Sequence, residues 1–192
     1  TITTQLLTGE DLADVTPDAD VKAIEDAWIA EIDTELGQVI GSTTDSLTNF
    51  DSEGNRLVRK QETNTGDFVT DALYYLFDNM GLDVDVAIMN GGGIRNESPV
   101  TGDITYKICK EIHTFGNVAC LQTVTGQQLL DALEWGAKDV SADGSTENGG
   151  FLQVSGLTYT IDTSIPSTVQ QDDIGVWTGG PTGEYRVTDV QV

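Results

Sequence analysis

The sequence predicts an α+β fold, a layered domain in which a mixed β-sheet is flanked by helices. Three observations predict it: stretches of helical periodicity, several short β-rich runs, and no strict strand-helix-strand alternation of the kind that builds a doubly wound parallel sheet. Each element follows from its own spacing.

Val21, Ile24, Trp28, Ile32 and Leu36 step by three or four, the stripe of an amphipathic helix. Thr16 is the expected N-cap, Pro17 the first helical residue and Gly37 the stop. A second helix is expected over Thr65 to Met80, with Phe68, Val69, Ala72, Leu73, Leu76 and Phe77 inward and Gly81 closing it. VDVAIM (84–89) then reads as a short buried strand. A short helix over Tyr106 to Ile112 leads through TFGN into VACLQTV (118–124), a β-rich stretch. TGQQLLDALEWGAKD opens a third long helix with a capping box from Thr125 to Gln128. After the polar loop SADGSTENGG (141–150), FLQVSGLTYTID and the terminal EYRVTDVQV are strand-like.

The 192 residues hold 9 Lys and Arg against 32 Asp and Glu, a formal net charge of -23. Such a field repels phosphate backbones and anionic membranes, so a nucleic acid polymer is not an expected partner. No apolar run approaches the roughly 18 residues that a membrane span requires. With 38% hydrophobic residues the chain has enough material for a core.

At residues 90–95 the chain reads NGGGIR, directly after the VDVAIM strand. Glycines let a ligand approach the backbone and can present bare N–H groups, but the pattern is neither GxGxxG nor a P-loop, and a plain tight turn reads equally well. Arg95 is one of only four arginines, with Arg56, Arg59 and Arg186. A guanidinium at Arg59 or Arg95 suits a phosphate or ribose oxygen, although in so acidic a chain the ordinary fate of an arginine is a surface carboxylate.

Taken in order, ETNTGDFVTDAL, VDVAIMNGGGIR, GDITY, TFGN, TGQQLLDALEWG and GGFLQVSGLTYTID resemble the C-terminal substrate-binding domain of the 5'-nucleotidase family, from about Thr16 to Val192. The ordered set is far more specific than any one motif. The resemblance implies a metal-dependent phosphohydrolase acting on nucleotides: AMP-like monophosphates, 2',3'-cyclic nucleotides or nucleotide sugars. In that family an N-terminal metallophosphoesterase domain holds two divalent metal ions and does the chemistry, and the C-terminal domain grips the nucleoside. Carried onto this chain, Arg59 and Arg95 contact ribose and phosphate oxygens, Asn90 bonds the nucleoside, Phe115 stacks on the base, and Gly92 and Gly93 let the ligand lie close. No cofactor is expected within these residues themselves. The expected partners are a nucleotide or nucleoside and the metallophosphoesterase domain of the same chain, in a secreted, periplasmic or cell-surface protein.

Two departures accompany the resemblance. Thr114 stands where the family usually has a proline before Phe-Gly. The family's second stacking aromatic and ribose-binding Asp, in a later segment ending Gly-Asp-Gly, have no counterpart before Val192. The expectation is therefore a fragment, inactive alone: residues 1–45 as interdomain linker and helix, and 46–192 as a nucleotide-recognition domain incomplete at its C-terminus. The alternative is a non-catalytic extracellular binding or adhesion module that keeps this fold.

Other chemistry-bearing residues take structural readings. His113, the only histidine, near Cys109 and Cys120, is not read as a catalytic pair. The two cysteines are expected as buried thiols, with a mutual disulfide as the lesser alternative. Asp83 and Asp85 are read as a solvated face, and Trp28 and Trp135 as packing residues. Asn96-Glu97-Ser98 has the form of a glycosylation acceptor, with Pro99 just after it. Trp177 lies in a glycine-rich excursion without an assigned role.

Overall fold

The computed structural model describes residues 2–192. A single turn, α1 (Gly9–Leu12), precedes the long helix α2 (Ala19–Leu36). The N-cap of α2 is Asp18, two residues after the expected Thr16. The Asp18 carboxylate accepts the N–H groups of both Asp20 and Val21, at 3.0 and 3.1 Å, and so satisfies two of the helix's unpaired donors at once.

The apolar stripe of α2 is where the sequence reading fails. No residue of this helix is buried, and Trp28 is 64% exposed together with Val21, Ile24 and Ile32. The helix leans on α4 (Tyr106–Ile112), with Lys107 Nζ 2.6 Å from Asp33 Oδ1. A charged pair, and not the stripe, makes that attachment.

Strand β1 (Val39–Leu47) pairs antiparallel with β3 (Val100–Thr105), which runs straight into α4 through the N-cap Thr105. Helix α3 (Asn64–Asp78) begins at Thr63, whose hydroxyl accepts the Gly66 N–H. Its buried face is Thr65, Gly66, Val69 and Thr70, one step round from the expected stripe, so Ala72 and Leu76 point to solvent. The cause is Gln153. This buried side chain accepts the Thr63 N–H and donates to the carbonyls of Val58 and Gln61, which draws a polar face of α3 inward.

Strand β2 (Ala87–Asn90) pairs antiparallel with β4 (Leu152–Ser155), β5 (Thr158–Ile161) with β8 (Val187–Gln191), and β6 (Gln170–Gln171) with β7 (Trp177–Gly179). The α+β class holds. Among the described residues the strands form four antiparallel two-stranded ladders, where a mixed sheet was expected. Residues 118–124 join none of them: the VACLQTV stretch is exposed coil, because propensity without a partner strand does not make a ladder.

Helix α5 (Gly126–Ala137) has the expected capping box. Its C-terminal end is held by Arg186, whose guanidinium donates to the carbonyls of Ala137, Lys138 and Val140 at 2.8–3.0 Å. The fully buried Glu134 completes the clamp, its Oε2 accepting the N–H groups of Arg186 and Val187. Two apolar clusters result. Val58, Val69, Ile94 and Ile112 lie under the glycine loop, and Leu133, Ala137, Leu157 and Val187 lie between α5 and the β5–β8 ladder.

Cys109 is half-buried and Cys120 exposed, and both are free, so the pair of buried thiols is not realised. Burial raises the Cys109 thiol above its ordinary value. Asp83 and Asp85 are solvated as expected. Asn96 is buried, its side chain bonded to Asn49 at 2.6 Å, which closes it to glycosylation as folded.

Candidate functional site

The turn Gly91–Gly93 follows β2 directly. The space that side chains would occupy there is filled by the chain itself. A Cβ on Gly91 would collide with the Val58 carbonyl, one on Gly92 would lie 2.8 Å from the Gly149 carbonyl oxygen, and one on Gly93 would meet the Met89 side chain. The triple glycine thus permits the Val58–Arg59 backbone and the Asn148–Gly150 segment to pack directly against the loop.

Two hydrogen bonds fix this arrangement on each side. Gly149 O accepts from Gly92 N and from Asn90 Nδ2, both at 2.9 Å. The Asn148 N–H donates to Arg59 O at 3.0 Å, and the Asn148 amide reaches Gly136 O on α5 at 3.0 Å. Residues 148–150 form a strap joining the Arg59 segment, the glycine loop and α5.

On one side of the strap lies a narrow pocket of about 20 Å³ bordered by Arg56, Arg59 and Arg95, with Asn49 and Asn96 behind them. Three of the four arginines of this acidic chain meet there. Backbone bonds hold each in place: a bridge between Phe50 and Arg56, the Asn148 N–H to Arg59 O at 3.0 Å, and Arg95 N to Ile112 O at 2.9 Å. Burial, and after it the charge of Arg56, pushes the Arg59 guanidinium below its ordinary value; Glu147 acts oppositely and Arg95 adds to the lowering. The Arg59 Nε is buried with no hydrogen-bond partner in the protein. Phe115 stands beside this pocket, 52% exposed, with the Arg95 Cζ 5.8 Å from its ring centroid.

On the other side is a cleft of about 720 Å³ lined by Ile88, Asn90, Ala132, Trp135, Leu152 and Trp177. The six residues expected to bind substrate therefore divide. Arg59, Arg95 and Phe115 converge; Gly92 and Gly93 sit at the strap; Asn90 faces the apolar cleft with its amide N–H committed to Gly149.

Sequence reasoning missed Arg56 and Glu147 as neighbours of Arg59, and missed that Trp135 and Trp177 share a cleft. Arg56 carried a signal, its three-residue spacing from Arg59. Glu147, in a loop of small polar residues 88 positions from Arg59, carried none. His113 is half-buried, which lowers its pKa, and takes no part in the pocket. Among the described residues no three His, Cys, Asp or Glu side chains come together as metal ligands, so these residues do not fit two divalent ions.

Antiparallel ladders and helices thus surround an arginine-lined pocket that lies beside an exposed phenyl ring. The family model of the 5'-nucleotidase, C-terminal domain, matches residues 39–192, and the chain belongs to that family. The match begins at the first residue of β1. Among curated relatives, it is 30% identical over 153 residues to "Cell wall protein Lmo0130" of Listeria monocytogenes, covering 77% of this chain and 19% of that protein. It is 33% identical over 128 residues to a 5'-nucleotidase of Vibrio cholerae, covering 66% of this chain and 21% of the relative. Against "Protein UshA" of Escherichia coli the identity is 35% over 131 residues, covering 68% and 20%. The chain thus spans about a fifth of the length of these relatives. Among solved structures, the 5'-nucleotidase precursor of Thermus thermophilus superposes with a TM-score of 0.63 at 29% identity, covering 94% of this chain and 30% of that one.

Proposed function

We propose that this chain is the nucleotide-recognition part of a secreted or cell-surface, metal-dependent 5'-nucleotidase-like phosphohydrolase. Residues 1–45 serve as linker and helix, 46–192 position base and ribose, and a separate metallophosphoesterase domain with two divalent metals does the chemistry. The substrates are nucleoside monophosphates, 2',3'-cyclic nucleotides or nucleotide sugars. Arg59 and Arg95 hold phosphate or ribose oxygens, Phe115 stacks on the base, Asn90 offers its carbonyl oxygen, and Gly92 and Gly93 set the loop's distance.

One observation carries this reading: three guanidinium groups gather beside an exposed phenyl ring in a chain of net charge -23. Like charges are brought together at a cost, which a bound anion relieves. The narrowness of the pocket agrees with contact to an anionic edge, leaving the ring to lie outside on Phe115.

Calorimetric titration with AMP tests it. Arg95→Ala should weaken binding by about tenfold or more, the loss of a charge-assisted contact of roughly 1.5–3 kcal/mol. Equal affinity in both proteins would remove Arg95 from the site.

A second reading, a non-catalytic extracellular binding or adhesion module, is favoured by the exposed apolar stripe of α2 and by likeness to a cell wall protein. It predicts that saturating AMP leaves the melting temperature unchanged.

A further inference from the structure

Glu147 stands in an unusual position for a surface carboxylate. Its Oε2 lies 3.4 Å from Arg56 Nη1 and 3.9 Å from Arg59 Nη1, one oxygen shared between two guanidinium groups. A paired arginine and carboxylate normally close to about 2.7–2.9 Å, often with both oxygens engaged. Here neither contact closes, and the side chain keeps 34% of its exposure.

The backbone next to it is the opposite of loose. Asn148 is tied through its N–H to Arg59 O and through its amide to α5, and Gly149 is tied to Asn90 and Gly92. The strap delivers a carboxylate to the arginines while its tip stays partly exposed. Glu97, the acid that lines this pocket, is exposed and forms no ion pair with Arg56, Arg59 or Arg95, whereas Glu147 reaches Arg56 and Arg59 from beside it.

We propose that Glu147 is a built-in competitor for the anionic group of the ligand: from beside the pocket it engages the Arg56 and Arg59 guanidinium groups, and it gives them up when a phosphate binds there. This rests on the nucleotide reading above and assigns a specificity role within that site. The carboxylate offsets the mutual repulsion of Arg56 and Arg59, so the two stay gathered without a ligand. Its displacement costs affinity for the charged part of a nucleotide and nothing for the uncharged part. The strap thereby lowers the advantage of a nucleotide over its nucleoside, which suits a domain that must release one of them after phosphate is lost.

The test is calorimetric titration of the wild-type and Glu147→Gln proteins with AMP, adenosine and inorganic phosphate at low salt. Glu147→Gln should bind AMP about five- to tenfold more tightly and bind phosphate more tightly as well, with adenosine unchanged within about twofold. The gain should shrink in about 0.5 M NaCl. Glu147→Asp, which withdraws the carboxylate by one methylene, should fall between. Unchanged or weaker AMP binding in Glu147→Gln would overturn the proposal, as would an equal loss for AMP and adenosine, the mark of a merely structural strap. If neither protein binds AMP or adenosine, the nucleotide reading fails, and the phosphate titration alone still decides whether Glu147 competes for an anion.

Discussion

Gly91 shows how much of the site depends on a single missing carbon atom. Its Cβ position is occupied by the Val58 carbonyl, which is part of the backbone and cannot swing away as a long side chain would. Gly91→Ala should therefore force the Arg59 segment and the glycine loop apart, at a cost of about 2 kcal/mol or more by the overpacking mechanism. The midpoint of urea unfolding measures that loss. The same displacement should weaken AMP binding, because Arg59 and Arg95 are carried by the two segments being separated. By contrast Gly93→Ala meets the end of the flexible Met89 side chain, with Asn90 Oδ1 next at 3.2 Å and no backbone atom, and should cost less. Equal costs at the two positions would contradict this account of the loop. NGGGIR was legible as a special loop, while the object accommodated by its glycines, the chain's own backbone, lies far away in sequence.

At the scale of elements, α3 sets two effects against each other. Asp67 sits in the first turn, where a carboxylate gains about 0.3–1 kcal/mol from the helix dipole. Burial, and then the neighbouring charges of Glu62 and Asp71, nevertheless raise its pKa from 3.8 to about 6. Desolvation and like charge win. Between those two values the native state holds more protons than the unfolded chain, so this group's contribution to stability falls as pH rises through the window and stays constant above it. Asp67→Asn should flatten that part of the pH dependence and raise stability above about pH 6, read as the difference between the unfolding midpoints of the two proteins across pH 4–8. Parallel curves would show that Asp67 ionises normally. Local signals served well in two helices: Thr125 with Gln128 marked α5, and the short helix expected over Tyr106 to Ile112 is α4. They failed where distant partners decide. The 118–124 stretch has strand propensity and no partner, α2 has an apolar stripe and no covering, and α3 turned its face toward Gln153, 90 residues from Thr63. The converging arginines were half legible, since their scarcity was visible and their meeting was not.

For the whole molecule, charge acts in two opposing directions. Five ion pairs form among the described residues against 32 acidic side chains, so most carboxylates face one another across solvent. That self-repulsion penalises the compact state. Raising NaCl from about 0.1 to 1 M shortens the screening length from about 10 to 3 Å and should raise the melting temperature, with each 1 kcal/mol gained appearing as roughly 2–4 °C in a chain of this size. The arginine pocket should respond the other way. Its proposed attraction for a phosphate opposes the net field, and the same salt that steadies the fold should weaken AMP binding while leaving adenosine nearly untouched. Differential scanning calorimetry and titration over one salt series separate the two trends. If stability and AMP affinity rise together, the ligand is gripped through its ring and not through its charge, and the role of the three arginines reduces to packing around Glu147 and Asn49.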